Sequence, residues 1–220
     1  MDPLVTAALS IPPAELAKRT ESSGMSDRGY TFLHAVAATN RDPSFIRDQL
    51  VAVLLAGRDT TASTLSWLFY ELSRHPGVLS RLRSEVASVV GLDPAVKPTY
   101  VQLKSMKYLQ NTLSEILRLY PVIPLNVREA LQDTTLPRGG GADGVAKVGV
   151  PKGTAVVFNI FSLQLQAEWY QGSDIDPMLF EPDRWRTWQP KAWSYIPFLG
   201  GPRVSSDSRR FPYTVCLLQC

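Results

Sequence analysis

The longest helical pattern in the chain begins at Asp42-Pro43 and meets no further proline before Pro76. Aspartate followed by proline is typical of a helix start, because aspartate caps the first turn and proline needs no hydrogen-bond partner there. The spacing predicts a helix over 43–74, about 48 Å long at 1.5 Å per residue. Its middle, 50–56, is apolar on every side, so we expect this stretch to lie buried in the interior.

Further helices are predicted where apolar residues recur at spacings of three and four. Two of them follow the long helix, over 77–90 and over 106–119. Upstream, 30–37 shows the same spacing, and 14–19 fits the end of a helix. Helices therefore occupy most of the first 120 residues.

The pattern changes from helical to extended after Pro121. Strands are predicted over 122–129 and 154–159, and a hairpin is predicted from 134–136 and 148–150 around a glycine-rich loop. Long helices followed by a small sheet indicate a mainly α (α+β) fold with a long central helix.

Composition and charge exclude several classes of function. The 220 residues carry a net charge of +3, and Lys and Arg are scattered, which gives no footprint for nucleic acid. The two cysteines, Cys216 and Cys220, form neither a disulfide framework nor a zinc signature. His34 and His75 lie outside any ligand motif. No apolar run approaches the ~20 residues of a membrane span, so we expect no anchor in this chain and leave its location cytoplasmic or unknown.

The first candidate motif is Ala56-Gly57-Arg58-Asp59-Thr60-Thr61, in the middle of the long helix. Glycine costs ~1 kcal/mol in a helix, and hydroxyl side chains compete for its backbone bonds. An acid beside a hydroxyl in a buried helix can relay protons, and a glycine lets a ligand approach the backbone. A helix kink with a packed glycine explains the same residues and stays open as an alternative.

The second candidate motif pairs Glu115 with Arg118, three residues apart on one helical face. Such pairs are common on surfaces, where they contribute little. The neighbouring residues are apolar, however, so at least one charge is expected to be buried and to need a further partner. The segment 180–185 supplies Arg184 as that partner.

The third segment, 198–203, is a Gly/Pro-rich loop with one cation, Arg203. The three segments, in this order and spacing, resemble the cytochrome P-450 monooxygenases, in particular the fungal alkane- and fatty-acid-hydroxylating type. The sequences of residues 119–126 and 136–141 also resemble that type, and the resemblance covers residues 16–203. It implies the C-terminal part of the cytochrome P-450 fold, truncated at both ends.

The resemblance implies oxygen insertion into an apolar substrate, an alkane or a fatty acid, by a haem-thiolate enzyme. It also implies haem (iron protoporphyrin) as cofactor and NADPH-cytochrome reductase as the partner that supplies electrons. The implied site residues are Asp59 and Thr60 for proton delivery during dioxygen activation; Ala56 and Gly57 against the haem face; Arg128 and Arg203 for the haem propionates; and Glu115, Arg118 and Arg184 as a structural triad.

The chain departs from the family at the iron ligand. The family loop reads F-x-x-G-x-R-x-C-x-G, but Ser205 stands at the cysteine position and Asp207 at the following glycine. An alcohol is too weakly acidic to replace the thiolate that activates oxygen in this family, so no metal ligand is predicted. Cys216 lies eleven residues beyond Ser205 and is not expected to substitute.

This chain is therefore expected to lack the family's activity. Two alternatives stay open: a non-catalytic haem-binding or interaction remnant of the same scaffold, and a helical structural protein with accidental motifs. The sequence divides into 1–41, a helix remnant and loop; 42–203, the family-like core; and 204–220, a tail unlike the family.

The tail 204–220 is interpreted as translated intron sequence, and a mature transcript that still encodes it would contradict this hypothesis. Full-length members of the family carry an N-terminal anchor in the endoplasmic reticulum membrane and further helices around the substrate. Nothing of that kind precedes Met1 in this chain. We therefore expect an exposed apolar face on the central helix and poor solubility of the isolated chain.

Overall fold

Helices dominate the chain, with two small antiparallel sheets in its second half. The computed structural model describes residues 2–16, 31–93, 95–172 and 175–205. The chain divides into two compact units, Met1–Thr60 and Thr61–Cys220. The predicted mainly α class with a small β region is confirmed.

The first unit contains helix α1, Asp2–Ser10, helix α2, Phe32–Thr39, and the first part of the long helix α3, Pro43–Arg74. Residues 13–16 are also helical. Helix α1 was not predicted. A small apolar core joins these helices, formed by Val5, Ala8, Leu16, Ala37 and Ile46.

Helix α3 has the predicted length, but its apolar middle is not buried. Val53, Leu54 and Leu55 are 51%, 57% and 47% exposed. The expectation of a buried middle was wrong because an apolar run is buried only where another element covers it. Within the described part of the first unit, the core instead takes in Ile46 and, beside it, Leu50.

The second unit is built around helix α4, Pro76–Val89, the short helix α5, Tyr100–Ser105, and helix α6, Lys107–Leu119. The predictions of α4 and α6 are confirmed within one residue at each end, whereas α5 was missed. The apolar faces of α4, α6 and the last turns of α3 meet in one core, which includes Leu68, Leu72, Leu82, Leu109, Leu113, Ile116 and Leu117.

The start of α6 is capped from another helix. Met106, which precedes its first residue, offers no side-chain cap. The carboxylate of Glu85, on α4, accepts bonds from the backbone N–H groups of Tyr108 at 2.9 Å and Leu109 at 2.8 Å. An anionic side chain stabilises a helix N-terminus, where N–H groups lack partners within the helix. Glu85 thereby fixes the position of α6, the helix that carries Glu115 and Arg118.

Four strands follow α6 and form two antiparallel pairs. Strand β1, Leu125–Glu129, pairs with β4, Ala155–Asn159, and β2, Thr134–Gly140, forms a hairpin with β3, Ala146–Val150. The predicted hairpin and last strand are confirmed. Gly140 is required in the hairpin, since a Cβ there would lie 2.8 Å from the carbonyl oxygen of a residue on β3.

Short helices and turns complete the second unit. They are α7, Ile160–Gln164, the 3-10 turn Ala167–Tyr170, α8, Arg184–Thr187, and the 3-10 turn Gly201–Arg203. Among the described residues, no helix is both long enough and apolar enough to cross a bilayer.

Candidate functional site

A fully buried carboxylate, Glu115, lies at the centre of the second unit. Its Oε2 accepts a bond from Nε of Arg118 at 2.7 Å, and its Oε1 accepts one from Nη2 of the same residue at 2.8 Å. Nε of Arg184 donates to Oε1 at 3.3 Å. The structure thus brings together the three residues that the resemblance implied as a structural triad.

Two further donors complete the shell around Glu115. The indole N–H of Trp185 donates to Oε2 at 2.9 Å, and the backbone N–H of Glu181 donates to Oε1 at 3.0 Å. Sequence reasoning missed both. The signal available for Trp185 was its place directly after Arg184, because a buried indole N–H usually needs an acceptor.

The guanidinium of Arg118 is satisfied on every side. Besides Glu115, it donates to the hydroxyl of Tyr170 at 3.1 Å and to the carbonyl oxygens of Pro177 at 2.6 Å and Leu179 at 3.2 Å. Burial works against the charged form, but the bonds to Glu115 outweigh it and raise the pKa of Arg118 above its usual value. The side chain therefore stays charged throughout the accessible pH range.

Arg184 ties the triad to the segment that follows the 3-10 turn. Its Nη1 donates to the carbonyl oxygen of Ile175 at 3.0 Å, and its Nη2 donates to those of Asp176 at 2.7 Å and Leu179 at 3.3 Å. Two guanidiniums and one carboxylate leave one net positive charge, and backbone carbonyls satisfy it. All three triad side chains are fully buried, so this cluster holds chain segments together and offers no group to a substrate.

Residues 195–205, here named the ligand loop, include Ser205, the position at which the resemblance places the iron ligand. The backbone N–H of Ser205 donates to the carbonyl oxygen of Phe198 at 2.9 Å, which closes the loop on itself. Leu199 adopts a left-handed conformation with φ of 65°. A Cβ on Gly200 would lie 2.4 Å from the ring of Trp193, so a larger residue there would displace that exposed ring.

The proposed proton-delivery residues lie on α3. The hydroxyl of Thr60 donates to the carbonyl oxygen of Ala56 at 2.8 Å, one turn earlier in the same helix, while Asp59 is exposed. A Cβ added to Gly57 would meet nothing within 4 Å, so this face is open to close approach.

The two arginines implied for the propionates lie on β1 and in the last 3-10 turn. Arg128 is exposed, and its guanidinium donates to the side-chain oxygen of Asn126 at 2.6 Å and to the carbonyl oxygen of Val127 at 2.8 Å. Arg203 lies at the end of the turn Gly201–Arg203. Their assignment to propionates stays a prediction.

A second polar cluster, which the sequence did not suggest, joins α3 to the end of α6. The hydroxyl of Tyr120 donates to Oε1 of Glu71 at 2.5 Å, and Nδ1 of His75 lies 3.2 Å from Oε2 of the same carboxylate. The ring of Trp67 stacks on that of Tyr120 with centroids 4.1 Å apart. Burial and the bond to Glu71 raise the pKa of Tyr120 to about 12.

Tyr120 is expected to make the free energy of unfolding fall between about pH 10 and pH 12. An unfolded tyrosine titrates near pH 10, whereas folded Tyr120 keeps its proton to about pH 12. Stability is therefore fully present below pH 10 and declines as the pH rises through this window. The free energy of unfolding, measured with urea, should fall less between pH 9 and pH 11 for Tyr120→Phe than for the parent chain.

The matched control for this measurement is Tyr100→Phe, because Tyr100 is exposed. Its free energy of unfolding should fall between the two pH values by the same amount as that of the parent chain. An equal decline in the parent and in Tyr120→Phe would show that the Tyr120–Glu71 bond does not govern the pH dependence.

Comparison with known proteins assigns the family. The model of the family described as Cytochrome P450 matches residues 18–204. The chain belongs to the cytochrome P450 family. The resemblance that rested on three short motifs is thus confirmed over most of the sequence. The buried triad lies within the P450 match, which ends at residue 204, one residue before Ser205.

The P450 relatives that the chain resembles are fungal. Cytochrome P450 monooxygenase pvhE of Talaromyces variabilis is 47% identical over 221 residues, which cover 97% of this chain and 40% of that protein. Cytochrome P450 52A13 of Debaryomyces hansenii is 43% identical, with 91% of this chain and 37% of that protein covered. Cytochrome P450 52A6 of Candida tropicalis is 40% identical, with the same two coverages. The chain spans about two fifths of the length of these relatives.

The residues present do not fit the thiolate-bound haem that P450 membership implies. Position 205 carries an alcohol, and its backbone N–H is engaged with Phe198. Within the described ranges, no group of three His, Cys, Asp or Glu side chains could hold a metal ion. Cys216 and Cys220 lie outside the described residues. A serine hydroxyl has the wrong donor chemistry for this P450 ligand, because the family depends on an anionic sulfur.

Proposed function

We propose that this chain carries the scaffold of a haem-thiolate monooxygenase that acts on an apolar substrate, an alkane or a fatty acid. In that reaction one atom of dioxygen enters a C–H bond, and the other leaves as water with two protons and two electrons. Membership of the P450 family and the name of one relative, a monooxygenase, support the reaction class. We also propose that the chain as written does not carry it out.

The proposed roles follow the motif positions. Asp59 and Thr60 are proposed to handle protons, with Ala56 and Gly57 against the haem face. The open space beside Gly57 supports this placement. Arg128 and Arg203 are proposed to bind the propionates of a haem. A planar guanidinium suits a carboxylate, with which it makes two parallel hydrogen bonds.

The proposed partner is NADPH-cytochrome reductase, which would supply the two electrons. The proposed location for the longer protein of this type is the endoplasmic reticulum membrane. Both proposals rest on family membership. Neither depends on any contact within this chain.

The observation that carries the proposed loss of activity is the alcohol at position 205, in a chain whose buried triad is formed. Glu115 binds Arg118 and Arg184 in a fully buried cluster, and the ligand loop is closed by the bond between Ser205 and Phe198. The framework and the loop therefore do not need the cysteine in order to form. Within 42–205, the defect is proposed to lie at the ligand atom.

Restoring the ligand is the direct test. The full chain and its Ser205→Cys/Asp207→Gly variant are purified, supplied with haem, reduced and exposed to carbon monoxide. The variant is expected to give a thiolate-type Soret band, because a cysteine thiolate at position 205 can bind iron. The parent chain is expected to give none.

The matched control is Ser205→Ala/Asp207→Gly, which changes the same positions without adding sulfur. A thiolate-type band in the parent chain would overturn the proposed loss of activity and implicate another cysteine. A histidine-type band in parent and control would favour the haem-binding remnant. Absence of any band from the cysteine variant would contradict the proposal that the chain is a haem scaffold with a defective ligand segment.

A further inference from the structure

A buried amide connects the end of α6 to the start of the ligand loop. Gln164, the last residue of α7, is fully buried. Its Nε2 donates to the carbonyl oxygens of Leu117 and Arg118, both at 3.1 Å, and its Oε1 accepts from the backbone N–H of Ile196 at 3.0 Å. One side chain thus joins the helix of the triad to the second residue of the loop.

We infer that Gln164 is a positioning residue that fixes the ligand loop relative to α6. The inference concerns a contact separate from the triad, because none of the triad hydrogen bonds described above reaches the backbone of the ligand loop. It rests on the proposed function in one respect, namely that position 205 is where a ligand atom belongs. The contacts of Gln164 themselves are independent of that proposal.

The chemistry of this position requires an amide. Two acceptors, the carbonyl oxygens of Leu117 and Arg118, face one donor, the N–H of Ile196. A fully buried side chain must therefore donate and accept at once, and glutamine carries two N–H donors and one acceptor oxygen in its head group. Apolar side chains offer neither, and an ionised glutamate offers only acceptors.

The backbone of Gln164 is fixed as firmly as its side chain. Its carbonyl oxygen accepts a bond from the hydroxyl of Tyr170, and that hydroxyl accepts from Nη1 of Arg118. The amide therefore cannot shift without disturbing the shell of the triad. Hydrogen bonds therefore connect Arg118 through Tyr170 and Gln164 to Ile196. Through these bonds the buried triad fixes the position of the ligand loop.

Two other contacts hold the ligand loop, one a longer hydrogen bond and the other nonpolar packing. The hydroxyl of Tyr195 donates to the carbonyl oxygen of Ser114 at 3.3 Å, and Phe198 packs partly buried against the main core. Nonpolar packing tolerates sliding, whereas three hydrogen bonds converging on one amide fix both direction and distance. Loss of the amide should therefore loosen the loop at Ile196 first.

The experiment measures hydrogen exchange at the N–H of Ile196 in the full chain. Gln164→Met keeps the shape but removes all three bonds, and it is expected to speed this exchange at least about tenfold, the factor for one hydrogen bond of ordinary strength. Gln164→Glu keeps the acceptor for Ile196 but removes both donors, and it should preserve most of the protection. The N–H of Leu79, bound within α4 to the carbonyl of His75, is the internal reference.

A merely structural role predicts a different pattern. Both variants lose the bonds to Leu117 and Arg118, so both should lower the free energy of unfolding, and a packing effect would speed exchange at Ile196 equally in the two. Equal protection in the parent and in Gln164→Met, or equal loss in both variants, overturns the inference. If Gln164→Met does not fold, Gln164→Glu decides alone, since it must retain protection at Ile196 despite lower stability.

A second measurement adds the ligand. Gln164→Met placed in the Ser205→Cys/Asp207→Gly chain should lower the thiolate-type fraction of the bound haem, because the sulfur is no longer held in place. If the cysteine chain gives no thiolate-type band at all, the proposed function fails, and the exchange at Ile196 still decides the role of Gln164. An unchanged fraction in the presence of fast exchange would overturn the link between loop position and ligand.

Discussion

Replacing Glu115 by glutamine is expected to lower the free energy of unfolding by about 3–5 kcal/mol. The carboxylate is fully buried and accepts bonds from Arg118, Arg184 and Trp185. The neutral amide would leave two buried guanidiniums without a counter-charge and would turn N–H donors toward N–H donors. Such a loss approaches the whole stability of a typical domain. Urea unfolding followed by tryptophan fluorescence measures it.

The matched control is Glu129→Gln, which makes the same chemical change at an exposed position on β1. It should alter the free energy of unfolding by less than about 0.5 kcal/mol, as surface substitutions usually do. If Glu115→Gln costs no more than this control, the triad does not stabilise the second unit, and its buried charges must be compensated in another way.

Changing Arg118 to lysine is expected to lower the free energy of unfolding by about 3 kcal/mol, although the charge is retained. The guanidinium makes two bonds to Glu115 and further bonds to Tyr170, Pro177 and Leu179. An ammonium has three donors around one atom and cannot bind all five acceptor atoms that the guanidinium binds. Thermal and urea unfolding should both report the loss.

Arg138→Lys on β2 is the control for this substitution, because Arg138 is exposed. It should leave unfolding almost unchanged. The double variant Glu115→Gln/Arg118→Met should cost less than the sum of Glu115→Gln and Arg118→Met, because the two bonds between these side chains are lost in each single variant and can be lost only once in the double variant. Additive costs would show that the two side chains do not act as a pair.

Local signals in the sequence predicted the helices and strands well. Aspartate and proline at the start of α3, and the apolar spacing of α4 and α6, set boundaries that the structure reproduces. Helix α5 also had a local signal that went unused. Thr99 and Gln102 form a capping box, in which each side chain binds the backbone of the other.

Burial was harder to predict than secondary structure. The middle of α3 is uniformly apolar, and that pattern gave no sign that Val53, Leu54 and Leu55 would stay about half exposed. Burial depends on what other segments cover a helix, and no local pattern contains that information. Apolar periodicity therefore predicted the element correctly and its environment wrongly.

The candidate site shows the same difference between local and long-range information. The i,i+3 spacing of Glu115 and Arg118, with apolar neighbours, was enough to predict a third partner and to suggest Arg184, which binds the same carboxylate. Gln164 could not be found this way. Its partners lie 46 and 47 residues before it and 32 residues after it, so its local sequence does not identify them.

The cap that Glu85 places on α6 makes two helices cooperative. The first turn of α6 can keep its N–H groups paired only while α4 is folded, because the carboxylate that binds Tyr108 and Leu109 belongs to α4. Opening of α4 should thus expose the start of α6 to solvent exchange in the same event, and the two helices should behave as one unfolding unit. A substitution on the outer face of α4 that weakens that helix would then loosen the segment carrying Glu115, about thirty residues further along the chain.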